Sequence, residues 1–139
     1  MDPEVLKLAR WVRRRVKRWV LNNPEIMTDM TGACAIASYA LYRVLRAKGW
    51  GAEFCCGTSE WKGHCWVELN GHVLDITATQ FDGPVIAVFP IRRPPMWFSK
   101  AVTGLKTLQG KTAEIEVESW ESQSPIMYRR HVRRLVQQA

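Results

Sequence analysis

The run His64-Cys65-Trp66-Val67-Glu68-Leu69-Asn70-Gly71-His72-Val73-Leu74-Asp75-Ile76-Thr77 constrains the fold more than any other part of the chain. Two alternating segments flank Asn-Gly, the dipeptide that best tolerates the two positive φ angles of a tight hairpin turn. A two-residue turn fixes the register, so that Leu69 faces His72, Trp66 faces Asp75 and His64 faces Thr77. Side chains alternate along a strand, which puts His64, Trp66, Glu68, Val73, Asp75 and Thr77 on one face. His64 and Asp75 are then diagonal neighbours, with Cβ atoms about 7–8 Å apart or less, and their side chains can hydrogen-bond.

The rest of the chain supplies what this hairpin packs against. Val5, Leu8, Val12, Val16, Trp19 and Val20 form a helical apolar stripe, opened by Asp2 and Pro3 and stopped by Asn22-Asn23-Pro24. After a polar loop at 28–32, residues 33–47 predict an Ala-rich helix buried on most sides, with Gly49 as its C-cap. A short strand is expected over 52–56, a loop over 57–63, an apolar strand over 85–89 ending at Pro90, and a rigid aromatic loop over 94–98. Residues 111–120 alternate as a half-exposed strand. Ser124 and Pro125 open a last helix lined by Tyr128, Val132 and Leu135. Helices followed by mostly antiparallel strands make an α+β fold. With 139 residues, 47% of them hydrophobic, and seven Trp, the chain has the means to bury one core without staples, and disorder is excluded. A single domain over 1–139 is expected.

No apolar run approaches the roughly 18–20 residues that span a bilayer. Seven Lys or Arg interrupt the segment from Leu6 to Val20, which rules against a secretory signal there. The four cysteines, Cys34, Cys55, Cys56 and Cys65, include no C-x-x-C spacing. A disulfide framework is not expected and a reducing, cytoplasmic setting fits better. Zinc is disfavoured too, because Cys55 and Cys56, like His64 and Cys65, are strand neighbours that point to opposite faces.

The net charge of +7 is unevenly placed. Residues 1–21 hold seven basic and two acidic side chains, residues 129–139 hold four Arg and no acid, and the body between is slightly acidic. Arg129 with Arg133, and Arg130 with Arg134, fall at i,i+4 on the last helix, where like charges cost a few tenths of a kcal/mol. Glu114, Glu116 and Glu118, or a polyanion, can offset that cost. Two solvated helix faces are the plain reading. The alternative is contact with nucleic acid or an acidic protein surface through Arg13, Arg14, Lys17, Arg129, Arg130, Arg133 and Arg134.

Cys34 falls at the first turn of the buried helix, after Thr31-Gly32-Ala33. Unpaired N–H groups and the positive end of the helix dipole favour a thiolate there, and the same donors suit the oxyanion of a tetrahedral intermediate. A small Cys on an Ala-rich helix also serves simple packing. Joined to a His64–Asp75 pair, in which the carboxylate fixes the imidazole tautomer, it gains the parts of a Cys-His-Asp triad. Gly32 would let substrate approach, Trp66 would shield the His–Asp bond, and Gln80 would donate to an oxyanion or satisfy a turn. The aromatics at Trp61, Trp97 and Phe98 would form an apolar rim if they face the site.

Thr31-Gly32-Ala33-Cys34, then Gly63-His64-Cys65-Trp66-Val67-Glu68-Leu69-Asn70-Gly71, then Val73-Leu74-Asp75-Ile76-Thr77-Ala78-Thr79-Gln80-Phe81 resemble the transglutaminase-like branch of the papain-like cysteine enzymes. The resemblance spans about residues 28–82. It implies a small papain-like domain with Cys34 as nucleophile, His64 as general base and acid, and Asp75 as the orienting acid. It further implies attack on an amide or thioester carbonyl, an acyl-enzyme, and no cofactor. A peptidase, amidase or deamidase acting on a protein or peptide is the expected class.

Overall fold

A computed structural model describes residues 1–25, 33–58, 63–102 and 126–139. Helix α1 (Pro3–Asn22) starts where the sequence directs: the Glu4 N–H donates to Asp2 Oδ1 at 2.8 Å, and Pro3 takes a position that needs no donor. Its buried face is Val5, Ala9, Val12, Val16 and Val20, with Leu8 and Trp19 of the expected stripe at its half-buried margin. Helix α2 (Cys34–Ala47) is buried almost all round, through Ile36, Ala37, Ser38, Tyr39, Ala40, Leu41, Val44 and Leu45. Gly49, at φ +91°, reverses the chain, and the N–H groups of Gly49 and Trp50 return to the carbonyls of Arg46 and Leu45.

Four antiparallel strands follow, β1 (Glu53–Thr58), β2 (Gly63–Leu69), β3 (His72–Asp75) and β4 (Ala87–Pro90), in that spatial order. Asn70 at φ 52° and Gly71 at φ 76° make the tight turn expected of Asn-Gly. Leu69 pairs with His72, Glu68 with Val73 and Val67 with Leu74, which is the register read from the sequence. The β2–β3 ladder stops there, and Asp75 pairs instead with Ala87 of β4.

The sheet has two covered faces. Phe54, Cys65, Val67, Leu69, Leu74 and Ile76 share a core with α1, α2 and the last helix, α4 (Ile126–Gln138). Cys55, Trp66, Val73, Ala87 and Phe89 form a second cluster with Phe98 and Val102. The α+β class, the antiparallel sheet, the buried Cys-bearing helix and the basic helices at both ends of the chain all stand as expected. Among the described residues no helix is long and apolar enough to cross a membrane.

Several boundaries differ from expectation. The aromatic loop at 94–98 is in fact the entry to helix α3 (Met96–Ala101). Pro95 holds the extended backbone that precedes a helix, and its carbonyl accepts from the N–H groups of Phe98 and Ser99. Strand β1 runs on to Thr58 and β2 begins at Gly63, so both ends of the expected loop 57–63 belong to strands. The strand expected at 85–89 starts at Ala87, because Val85 is exposed on the approach to the sheet. The loop 28–32, residues 59–62 with Trp61, the strand at 111–120 with its three glutamates, and the helix opening at Ser124 and Pro125 lie outside the described residues.

A 3₁₀ turn (Ala78–Phe81) joins β3 to the segment before β4, and Gly83 closes it against α3. A Cβ on Gly83 would lie 2.9 Å from Ala78 Cβ and 3.0 Å from Trp97 Cε2. Gly83→Ala is expected to lower stability by about 1–3 kcal/mol through this overpacking. Leu41→Ala, which empties a fully buried position on α2, should cost about 2–5 kcal/mol. Urea midpoints of the two variants against the parent check both.

Candidate active site

Strand β2 presents His64 and the end of β3 presents Asp75 on the same face, and the two side chains meet in a buried hydrogen bond, Nε2 to Oδ2 at 2.7 Å. The carboxylate accepts there, so Nε2 carries the proton of the neutral ring and Nδ1 has the lone pair. The other carboxylate oxygen is also engaged: Thr77 donates to Asp75 Oδ1 from its backbone N–H at 2.9 Å and its hydroxyl at 3.2 Å. Asp75 is thereby fixed from both sides. His64 Nδ1 is sealed from solvent and completes no hydrogen bond.

Aromatic rings enclose this imidazole. Phe81 meets it edge-on at 4.8 Å between centroids, Trp66 stacks at 5.9 Å, and Phe98 of α3 stands at 6.3 Å. Trp66 is itself buried and donates its Nε1–H to Glu68 Oε1 at 3.2 Å. Water is kept from the His64–Asp75 bond, which strengthens it, and the ring faces favour a cation between them.

Cys34 is the first residue of α2, and among the described residues no side chain caps the helix there. Ser38, one turn on, donates to the Cys65 carbonyl at 2.9 Å and holds this end of the helix against β2. The Cys34 thiol consequently interacts with both Cys65 and the His64 ring. Its pKa is lowered to about 5, first by a hydrogen bond from the Cys65 thiol; burial opposes this, and His64 and the Cys65 backbone N–H add to it. Cys65 itself is pushed strongly upward, so it stays a thiol and a donor. Burial disfavours a charged His64, but its bond to Asp75 and the influence of the neighbouring Cys34 thiol outweigh that and raise it to about 9. These opposed shifts favour a thiolate–imidazolium pair at neutral pH.

The structure brings Cys34, His64 and Asp75 together and sets Trp66 beside them. Gln80 lies half-buried in the 3₁₀ turn, its N–H bonded to the Thr77 carbonyl at 3.1 Å. Gly32 lies outside the described residues. Arg13, Arg14 and Lys17 line one groove of about 540 Å³ with Arg10, Val85 and Ile86. Arg13 is half committed to the fold: its Nη1 donates to the Ile76 carbonyl at 2.8 Å. Burial lowers its pKa while the nearby Asp75 charge supports it. Arg129, Arg130, Arg133 and Arg134 sit on α4 and do not line that groove.

The sequence pattern gives no role to Thr77 or Phe81 and only puts Cys65 on the face away from His64. Thr77 was already on the His64 face of the hairpin, so its reach to Asp75 had a visible signal. Cys65 is in the core, yet it is also the principal partner of the Cys34 thiol, which no spacing revealed. Among the described residues no group of three or more His, Cys, Asp or Glu could hold a metal ion.

A family model described as "Transglutaminase-like superfamily" matches residues 2–82, more than half of the chain, with Cys34, His64 and Asp75 inside the match. No curated protein and no solved structure matches it. The match begins in α1 and ends just past Phe81, so it takes in the basic first helix that the three sequence motifs left out. The chain belongs to the transglutaminase-like superfamily, whose members are generally cysteine enzymes or related to them.

Proposed function

We propose that the protein is a cysteine-dependent amide hydrolase or acyl transferase in which Cys34, His64 and Asp75 act as a triad. The observation that carries this reading is the dry His64–Asp75 bond, with Nδ1 left over beside a thiol whose pKa is depressed. Cys34 Sγ attacks the carbonyl carbon of an amide or thioester as the carbonyl electron pair moves onto oxygen. The backbone N–H groups at the start of α2 are the donors for that developing charge. On collapse the C–N or C–S bond breaks, and the imidazolium gives its Nδ1 proton to the leaving amine or thiol. Nδ1 then takes a proton from water, the new C–O bond forms, and the Cys34 thiolate leaves with the acid as product. An amine in place of water gives transfer, and a primary amide as substrate gives deamidation. Asp75 holds the tautomer and stabilises the imidazolium throughout. A protein or peptide is the substrate class, and Gln80 is a further oxyanion donor.

Turnover of an activated acyl thioester or peptide amide should vanish in Cys34→Ala, with the circular dichroism spectrum and urea midpoint kept. Unchanged turnover in that variant would defeat the assignment.

The pH dependence has a definite sign. Below about 5 the thiolate takes up a proton, and above about 9 the imidazolium loses one, so kcat/KM should form a bell between those limits. Iodoacetamide labelling of Cys34, mapped by mass spectrometry, should begin near pH 5 and lose that low-pH reactivity in His64→Ala. Asp75→Asn should lower kcat on the order of 10²–10⁴-fold and draw the alkaline limb downward, since the support for the imidazolium is gone.

A second reading rests on the cation-lined groove of α1. With Arg10, Arg13, Arg14 and Lys17 turned to one channel, the helix is a binding surface for nucleic acid or another polyanion, with the α4 arginines as a separate basic face. Duplex DNA binding would then weaken with salt at a log–log slope near −0.9 per phosphate neutralised, and Arg14→Ala with Lys17→Ala would reduce that slope by about two. No binding at low salt removes this reading and leaves the first untouched.

A further inference from the structure

Cys56 on β1 and Cys65 on β2 are direct cross-strand partners, and their Sγ atoms lie 3.2 Å apart. Opposite residues of an antiparallel pair have Cα atoms roughly 4.5–5.5 Å apart, within the span a disulfide accepts, so the bond can form without moving either strand. Cys55 is excluded from this contact, because it faces the second cluster on the far side of the sheet. Cys56 is half-buried at the margin of the first core, which gives a small reagent access from its side; Cys65 is 9% exposed and Cys34 is 8% exposed. Cys65 also stands next to Cys34, since its carbonyl takes the Ser38 hydroxyl one turn along α2, and its thiol is the first influence that lowers the Cys34 pKa. One thiol therefore serves two neighbours: it can join Cys56 or donate to Cys34, but not both.

We propose that Cys56 and Cys65 are a reversible dithiol–disulfide pair that sets the reactivity of Cys34, with small-molecule disulfides such as oxidised glutathione as the oxidant. The Cys56 thiolate attacks the external disulfide and releases one reduced thiol. Cys65 attacks the resulting mixed disulfide at the Cys56 sulfur, the S–S bond to the external sulfur breaks, and the Cys65 proton passes to that leaving sulfur, which departs as the second thiol. Two protein thiols lose two electrons, and one external disulfide becomes two thiols. In the oxidised form Cys65 has no S–H, so Cys34 loses the donor that holds its thiolate, while His64 and Asp75 keep their bond. The consequence for Cys34 rests on its assignment as nucleophile above; the cross-strand bond itself does not.

The full chain is equilibrated in graded mixtures of reduced and oxidised glutathione, freed of glutathione, and split into two portions. One is mapped for disulfides by mass spectrometry. The other is labelled with iodoacetamide across pH 4–9. In oxidised samples a Cys56–Cys65 bond is expected, with Cys34 free and the midpoint of its labelling profile moved up by about one pH unit or more, as for one lost hydrogen bond to a charged group. Excess reduced glutathione should restore the first profile. Cys56→Ser should label like the reduced parent in every mixture. A Cys34–Cys65 bond in place of Cys56–Cys65, no intramolecular bond even in fully oxidised glutathione, or a bond that leaves the Cys34 profile unmoved would each overturn the proposal. If Cys34 labels as an ordinary thiol in the reduced parent, the nucleophile assignment fails and the coupling with it; a mapped Cys56–Cys65 bond would still distinguish that result from failure of the pair.

Discussion

The hydrogen bond from Ser38 to the Cys65 carbonyl, 2.9 Å long and fully buried, ties α2 to the middle strands of the sheet. Without it the first turn of α2 would be free to slide along β2, and the Cys34 thiol would lose its place between Cys65 and His64. The bond is costly to leave unmade, since both groups are cut off from water. It therefore selects one docking position of a helix whose otherwise apolar, Ala-rich surface would permit several. Everything chemical in the molecule follows from that position. The helix brings a thiol, the hairpin brings an imidazole and a carboxylate, and one buried contact decides that they meet.

The electrostatics of the site depend on what surrounds it as much as on the three side chains. Burial alone would keep His64 neutral and Cys34 protonated, and it is the largest influence on the first and the second largest on the second. The site overcomes this with Asp75, clamped by Thr77 and bonded to Nε2, and with the Cys34 thiol in the neighbourhood of the ring. Phe81, Trp66 and Phe98 pack around the ring and exclude solvent. Desolvation then acts in both directions, penalising each charge singly and strengthening the pair.

Much of this was legible in the chain. Asn70-Gly71 fixed the turn, the turn fixed the register, and the register put His64 within reach of Asp75. Asp2, Pro3 and Gly49 marked helix ends by local chemistry that needs no tertiary partner. What stayed hidden depends on contacts between elements. Helix α3 is six residues long, too short to be stable by propensity, and exists because Phe98 packs on Trp66 and Phe89. The fall in the Cys34 pKa was expected from the helix terminus, yet its largest cause is Cys65, a residue 31 positions away on another element. Spacing along a strand could put Cys65 on the opposite face from His64, but it could not show that a helix end touches both.

Among the described residues, three ties between segments end on a backbone carbonyl: Arg13 on Ile76 at 2.8 Å, Ser38 on Cys65 at 2.9 Å and Arg46 on Ala52 at 2.7 Å. In each, a helix supplies the side chain and the sheet or its approach supplies only the path of the main chain. A carbonyl is present whatever residue occupies the position, so these ties are indifferent to substitution at 52, 65 and 76 as long as the backbone keeps its course. The donors have no such latitude. The dependence is accordingly asymmetric: a change at 13, 38 or 46 removes a tie, whereas a change of side chain at 52, 65 or 76 leaves the tie itself in place.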